Sequence, residues 1–453
     1  MKINRLYLHN FRLFADQDFV FPTLFTVLIG ENGRGKSAVL HGLRVAASAW
    51  LLGFKETERL HIEPEDIRRV ELKTRFAPQF PATVRATGLV ANQEIVWTRQ
   101  RADFKGGLGR TAWAEAKTLL ELSRQAEQAT NSELREVDLP VLVFFSTARL
   151  RVGAKKGVEL KSKGSKVQDG YFQALTPDYK RKGPSGRAVA LAWVKTAYLK
   201  MLEEKTESLL TSIPPSVRPS VGQYTGYSVT APLLGAVLTA IETCVPGWTD
   251  LRWDLESDDL AGLYHRPDAP AAERVPLYYL SDGLRTMAGM VAEIAYRCVT
   301  LNGHLGAESV RASRGMVLID ELDMHLHPNW QRHVVADLKA AFPNLQFIVT
   351  THSPFIVQSL SSQELISLDH PTDVQPKDLR LEDVATEVMN VESPLSTQNQ
   401  QAEHMALAYL QSLHTADRAT SAELTTLENA VSDPGLRAVL RMERLLKEAN
   451  ASS

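Results

Sequence analysis

Eight consecutive residues, Gly30-Glu31-Asn32-Gly33-Arg34-Gly35-Lys36-Ser37, have the types and the spacing to hold a polyphosphate. Glycines let successive backbone N–H groups curl around an anion, a lysine neutralises phosphate oxygens, and the serine hydroxyl after it can ligate Mg²⁺. Far downstream, Asp320 and Glu321 stand together at the end of an apolar run. Cleaving a terminal phosphate needs such a pair, one acid on the metal shell opposite Ser37 and one polarising the attacking water as general base. The chemistry implied is hydrolysis of ATP with Mg²⁺, with Lys36 on the β- and γ-phosphates, Asp320 and Ser37 at the metal, and Glu321 on the water.

These residues work only if the chain sets them at the ends of buried strands. Residues 24–29 read as a buried strand and 37–52 as a helix, which puts the loop at a strand-to-helix junction. Residues 316–319 read as a buried parallel strand that delivers Asp320 and Glu321 at its C-terminal end. Two more segments suit the same scheme. Residues 345–350 read as a strand running into Thr351-His352-Ser353-Pro354, and a Ser281-Asp282-Gly283 turn opens a long helix over 284–301, whose start can capture an anion. Pro328 fits the first position of a helix with Trp330, Val334, Leu338 and Phe342 at helical spacing.

The chain has 453 residues, 44% hydrophobic and 23% charged, the composition of a globular protein with a substantial core and two or three lobes. A net charge of −2 gives no global field toward nucleic acid or membrane, so any such contact needs a local patch. Cys244 and Cys298 are the only cysteines, which excludes a disulfide framework and a cysteine zinc site. No apolar stretch approaches a bilayer span and no signal-like start precedes the first strand, so the expected place is the cytoplasm, with no membrane partner. Residues 149–187 carry eleven Lys or Arg, Lys155, Lys156, Lys161, Lys163 and Lys166 among them. They read as a flexible basic loop able to track the phosphate backbone of a nucleic acid. Arg12 and Arg149 each lie at the end of a core strand, where each could reach phosphate or, equally, form an ordinary surface ion pair. Strands over 83–89 and 94–100 pair around Ala91-Asn92-Gln93, and 112–129, 188–210 and 231–245 read as helices.

Leu280-Ser281-Asp282-Gly283 resembles the L-S-G-G-Q signature of ABC-type ATPases, with Asp282 and Arg285 departing from its commonest wording. The resemblance implies that Ser281 and Gly283 touch the γ-phosphate held by a second subunit. It also implies that His352 is the switch histidine and that the Leu326-His327-Pro328 turn faces the dimer seam. The motif order resembles the heads of the RecF, SMC and OLD group rather than transporter subunits. The stretch from Lys36 to Ser281 is too long for a transporter insert, and Ser146-Thr147-Ala148-Arg149 stand where a transporter carries its Q-loop glutamine. After His352 there is no Asp-x-Asp turn of the TOPRIM type. Asn10-Phe11-Arg12, Phe145-Ser146-Thr147-Ala148-Arg149, Gly170-Tyr171 with Ala174-Leu175, and Trp193 are similar to ATPase subunits of Septu-type and retron-associated antiphage systems.

The fold expected is therefore α/β, a P-loop NTPase with an ABC-type head split over 1–107 and 251–370. A helical arm fills 108–250, with a core strand near 140–146, and a helical extension covers 371–453, with helices over 381–389, 402–413, 422–430 and 436–447. Expected nucleotide contacts are Gly30 to Ser37, Arg12, Ser281 and Gly283. Expected partners are a second copy, or a higher homo-oligomer, and a separately encoded effector, often an HNH nuclease. Two other readings stay open: a RecF-like DNA-repair ATPase and a nucleotide switch that does not hydrolyse.

Overall fold

Five parallel strands bring the phosphate loop and the acids to one edge. The computed structural model describes residues 1–55, 57, 59–72, 75–103, 111–112, 116–131, 136–150, 165–211, 230–266, 271–370, 374–391 and 434–451. The chain opens with the hairpin β1 (Lys2–Phe11) and β2 (Phe14–Val20), then β3 (Phe25–Ile29) and helix α1 (Lys36–Leu51). A small hairpin, β4 (Arg69–Leu72) and β5 (Arg75–Pro78), precedes β6 (Ala82–Val90) and β7 (Gln93–Arg101). Next come α2 (Lys117–Asn131), β8 (Val141–Phe145), α3 (Lys166–Tyr171), α4 (Gly186–Thr211) and α5 (Thr230–Cys244). The second half holds β9 (Trp248–Asp254), β10 (Asp259–Tyr264), β11 (Glu273–Pro276), α6 (Asp282–Asn302), β12 (Gly315–Ile319), β13 (Leu345–Thr350) and β14 (Leu365–Ser367).

The parallel sheet runs β14-β3-β13-β12-β8. Every residue of β3, β8, β12 and β13 is buried, which is why each reads as an unbroken apolar run rather than an alternation. β13 lies between β3 and β12, so the C-terminal ends that carry the phosphate loop, the Thr351-His352 turn and the two acids are neighbours. In open α/β sheets that edge is where ligands bind.

A second, antiparallel sheet runs β2-β1-β6-β7, and α1 packs against strands of both sheets. Fourteen of the sixteen α1 residues are buried, as a helix covered on all sides requires. At Gly42 a side chain would lie 2.7 Å from the Leu8 methyl, so only glycine lets the helix sit this close to β1. The sheets are also stitched by the buried Gln346 amide, which accepts from Ile3 N–H at 2.8 Å and donates to Ile3 O at 2.7 Å. The expected β6–β7 hairpin forms, and Ala91 and Asn92 take φ of 49° and 63°, the left-handed pair of a tight hairpin turn.

α4 and α5 pack on α6 within one compact unit, Met1–Leu379, while Arg380 onward forms a second unit. The sequence had set the last boundary at 370/371 and expected an arm over 108–250. It had not anticipated the antiparallel sheet β11-β10-β9, although Trp248, Leu251 and Trp253 are the buried positions of β9. In the second unit, the helix expected over 381–389 is a short helix, Leu381–Asp383, followed by a π-turn, Val384–Val388. The helix expected over 436–447 spans Pro434–Ala451, and those expected over 402–413 and 422–430 lie outside the described residues. No described helix is long and apolar enough to cross a membrane.

The basic segment needs correction. Lys155, Lys156, Lys161 and Lys163 lie outside the described residues, but 165–187 is not a free cationic loop. Val167, Tyr171, Ala174 and Leu175 are buried, and the words Gly170-Tyr171 and Ala174-Leu175 dock the segment on the core. Tyr171 accepts from Trp50 Nε1 at 3.0 Å and donates to Pro140 O at 2.8 Å, Ala174 O accepts from the Phe144 N–H of β8 at 2.9 Å, and Leu175 O accepts from Arg44 Nε at 2.8 Å. The Arg181 side chain is only 4% exposed and pairs with Glu293 of α6 at 3.2 Å. Burial of an arginine with a carboxylate partner removes it from any surface that a polyanion could reach.

Candidate active site

The phosphate loop takes its shape from three glycines. Gly30, Gly33 and Gly35 have φ of 147°, 89° and 103°, the region that side chains disfavour. A side chain at Gly35 would meet Phe14 at 2.7 Å and Leu13 at 2.9 Å, so the β1–β2 turn fixes that end of the loop. At Gly33 nothing lies within 4 Å, which leaves the mouth of the cradle open. Lys36 Nζ donates to Gly30 O at 2.5 Å and Glu31 O at 3.1 Å. Burial lowers the Lys36 pKa, opposed by the charges of Asp369, Asp320, Glu321 and Asp323.

Across the loop, Ser37 Oγ donates to the Asp320 carboxylate, 3.0 Å from Oδ2 and 3.2 Å from Oδ1. Thr350 Oγ1 donates to Oδ1 of the same group at 2.7 Å. A hydroxyl and a carboxylate, the latter 9% exposed, thus meet at the junction of β3, β12 and β13. They form a hard oxygen set that suits Mg²⁺. Ser37 and Asp320 would hold the ion, and the ion would neutralise charge on phosphate oxygens.

Glu321 follows Asp320 with φ of 54°, and its N–H donates to Thr350 Oγ1 at 2.7 Å. Asp323 accepts from Thr351 Oγ1 at 2.5 Å and from the His352 N–H at 3.2 Å, so the acidic turn holds the turn after β13 while His352 itself stays exposed. Glu31 N–H donates to Asp369 at 2.9 Å, and the Arg34 guanidinium forms an ion pair with the same carboxylate at 2.8 Å. Asn32 is exposed at the tip. Thr350, Asp323 and Asp369 escaped the sequence reading. The only signal for Asp323 was its place two residues after Glu321, and Asp369 follows a three-residue edge strand too short to read.

Of the two strand-end arginines, Arg12 forms an ion pair, one of its two expected readings, and Arg149 meets neither. Arg149 does not reach toward the loop; it donates to the backbone carbonyls of Asp320 and Glu321, each at 2.6 Å. Arg12 donates to Asp66 Oδ1 at 2.8 Å and lies 2.9 Å from His41 Nδ1, in the turn that abuts Gly35. Arg44 reaches the same His41 nitrogen at 2.9 Å. Since arginine only donates, Nδ1 accepts and the ring is neutral, with its proton on Nε2.

Burial first, then Arg44, Arg12 and Lys180, move the His41 pKa from its ordinary 6.5 down to about 2. The unfolded chain therefore takes up a proton below pH 6.5 that the native one refuses. Stability is complete above that pH and declines as acid is added, by up to about 1.4 kcal/mol per pH unit from this group. Chemical denaturation from pH 7 to 5 checks this: His41→Gln should flatten the decline, and an unchanged slope refutes the assignment.

Ser281 caps α6, its hydroxyl accepting from Leu284 N–H at 3.5 Å, and the residue is exposed. Gly283 is buried under the next motif: a side chain there would lie 2.2 Å from His325 O. The two departures from the usual signature pair with each other, Arg285 with Asp282 across the first turn. His327 accepts from Asn329 N–H at 3.3 Å and closes the start of the helix Pro328–Gln331, a capping role. Cys244 and Cys298 are free and buried, and burial pushes the Cys298 thiol up to about 12. The site thus gathers Gly30 to Ser37, Asp320 and Glu321, with Asp323 reaching on to the His352 backbone. Ser281 lies exposed at the start of α6, with Gly283 buried beside it.

The chain is similar to the following families and proteins. A family model described as "AAA domain" matches residues 5–209, and one described as "AAA domain, putative AbiEii toxin, Type IV TA system" matches residues 253–358. The chain is 24% identical over 409 residues to the Retron Ec83 probable ATPase of Escherichia coli, covering 81% of this chain and 71% of that protein. It is 43% identical over 91 residues to the Retron Vc95 probable ATPase of Vibrio cholerae serotype O1 biovar El Tor, and 40% identical over 107 residues to the Septu protein PtuA of Bacillus thuringiensis. Those two matches cover 20% and 22% of this chain, and only 17% and 26% of the relatives.

Proposed function

We propose that this chain, a P-loop ATPase of the RecF/SMC/OLD-like type, is the ATP-hydrolysing subunit of an antiphage defence system and regulates a separately encoded effector, of which a nuclease is the expected kind. The observation that carries the reading is the meeting of Ser37, Asp320 and Thr350 at one sheet edge with Glu321 next in line. ATP is the substrate. Lys36 and the loop N–H groups bind its phosphates, Ser37 and Asp320 keep the metal on them, and Glu321 takes a proton from the attacking water. His352 senses the γ-phosphate. The names of the retron and Septu relatives support the defence role.

Two copies form the working unit, each lending Ser281 and Gly283 to the nucleotide held by the other. Contacts to the γ-phosphate from the opposite head exist only when the heads are closed. ATP therefore favours closure through its differential affinity, hydrolysis releases it, and the effector reads the difference. The exposed helix start at Ser281 supports this reading.

Mixing two inactive variants tests it. Lys36→Ala destroys one chain's own loop, and Ser281→Arg blocks what a chain offers its neighbour. Alone, each should release phosphate at background rate. Mixed in equal amounts, half of the dimers pair unlike chains, and each such dimer keeps one intact seam. Recovery of roughly a quarter of parental turnover is expected; no recovery on mixing rejects sites shared between chains.

A further inference from the structure

β8 and β12 pair as far as Phe145 and Ile319, and one more bond follows, from Asp320 N–H to Phe145 O at 2.9 Å. Beyond it β8 gives way to the 3₁₀ turn Thr147–Leu150, and β12 to the turn at Glu321. The guanidinium of Arg149 takes over where the ladder stops. Its Nη1 donates to Ser146 O at 3.1 Å and to Asp320 O at 2.6 Å, and its Nη2 donates to Glu321 O at 2.6 Å. A half-buried cation thus spends its terminal donors on three main-chain carbonyls rather than on a carboxylate. Its position is held in turn from below. Ser146 bonds Asp178 through both N–H and Oγ, at 3.1 and 2.9 Å, and Asp178 lies 3.5 Å from Arg181, which reaches Glu293 on α6.

The residue that Arg149 grips is under constraint. At φ of 54°, Glu321 occupies the left-handed region, which a residue with a side chain rarely enters without outside support. Here the support comes from two sides, Thr350 Oγ1 on its N–H and Arg149 on its carbonyl. Conformation at this residue sets the direction in which the Glu321 carboxylate leaves the backbone.

We infer that Arg149 is a positioning residue for hydrolysis: by holding the carbonyls of Asp320 and Glu321 it fixes the left-handed turn that aims the Glu321 carboxylate at the attacking water. The inference rests on the reading of Glu321 as general base. Arg149 touches no reacting atom in this scheme, so its loss moves the chemical step and leaves nucleotide binding in place. A displacement of about 1 Å at a reacting group costs up to about 100-fold in rate.

The test compares Arg149→Gln and Arg149→Lys with the parent as full-length proteins. For Arg149→Gln, kcat for phosphate release should fall about 10- to 100-fold. KM for ATP, the Kd for a non-hydrolysable ATP analogue and the melting midpoint should stay near parental values. Arg149→Lys, which keeps a cation and part of the donor set, should recover part of the lost kcat. Amide hydrogen exchange gives a readout independent of turnover: in Arg149→Gln the peptide covering Glu321 to Leu326 should exchange faster, and β13 should not. Parental kcat in Arg149→Gln, or a loss of analogue binding equal to the loss of kcat, overturns the proposal. A parent that releases no phosphate defeats the reading of Glu321 as base, while the exchange measurement still decides whether Arg149 holds the turn.

Discussion

Glu321→Gln is expected to slow phosphate release by about 10²- to 10⁴-fold, the usual contribution of a positioned general base. Glutamine fills nearly the same space and keeps the backbone bonds to Thr350 and Arg149, because those use main-chain atoms. Lys36, Ser37 and Asp320 are untouched, so ATP and Mg²⁺ should still bind. With cleavage blocked and binding retained, ATP-bound assemblies should accumulate. Steady-state phosphate release, analogue affinity and light scattering with ATP check the three parts. Parental turnover in this variant would remove Glu321 from the base role, and a non-hydrolysing switch would then account better for the chain.

The second large effect is on stability. Glu293 on α6 lies between two arginines, 3.2 Å from Arg181 and 2.8 Å from Arg297, and all three side chains are 3–4% exposed. Arg297 also donates to Gly170 O at 2.6 Å, and Arg181 to Phe144 O at 3.2 Å, so the triad joins α6 to α3 and to β8. Glu293→Gln keeps the volume and strips the charge, leaving Arg297 without its carboxylate and Arg181 with Asp178 alone. A loss of about 3–5 kcal/mol is expected. Burial by itself would raise the carboxyl pKa, but Arg181 and Arg297 outweigh it and hold the pKa below its ordinary 4.5. The native state therefore refuses a proton that the unfolded chain accepts. The contribution is complete above pH 4.5 and is lost as pH falls below it. Denaturant midpoints between pH 7 and 3 should show a steep acid limb in the parent and a shallower one in Glu293→Gln. Equal stability at pH 7 would mean that the triad contributes nothing net.

Much of the site was readable because polyphosphate chemistry constrains local sequence. A loop of N–H donors needs glycine at Gly30, Gly33 and Gly35, and strands buried on both faces must be apolar throughout, as 316–319 and 345–350 are. The hairpin around Ala91 and Asn92 was readable for a similar reason, since alternation and a left-handed turn are local properties. Arg149 was visible but its partners were not, because a guanidinium after a strand suits phosphate, carboxylate and carbonyl equally well until its neighbours are known. The run 149–187 looked like a basic loop for the same reason: the carboxylates that bury Arg181 lie at Asp178, nearby, and at Glu293, more than a hundred residues away.

The amino-acid order alone named the candidates for binding phosphate, holding a metal and activating water, since each group declares itself by type and by its place at the end of a strand. Only the folded chain decided how those groups are held. The order β14-β3-β13-β12-β8 brings Ser37 and Thr350 together on the Asp320 carboxylate, turns Arg149 onto the backbone of Glu321, and ties Asp323 to the Thr351-His352 turn. The physical reason is range. A side chain's chemistry and a strand's burial are written within a few residues, whereas the hydrogen bonds that aim a carboxylate join segments that meet only when the sheet assembles.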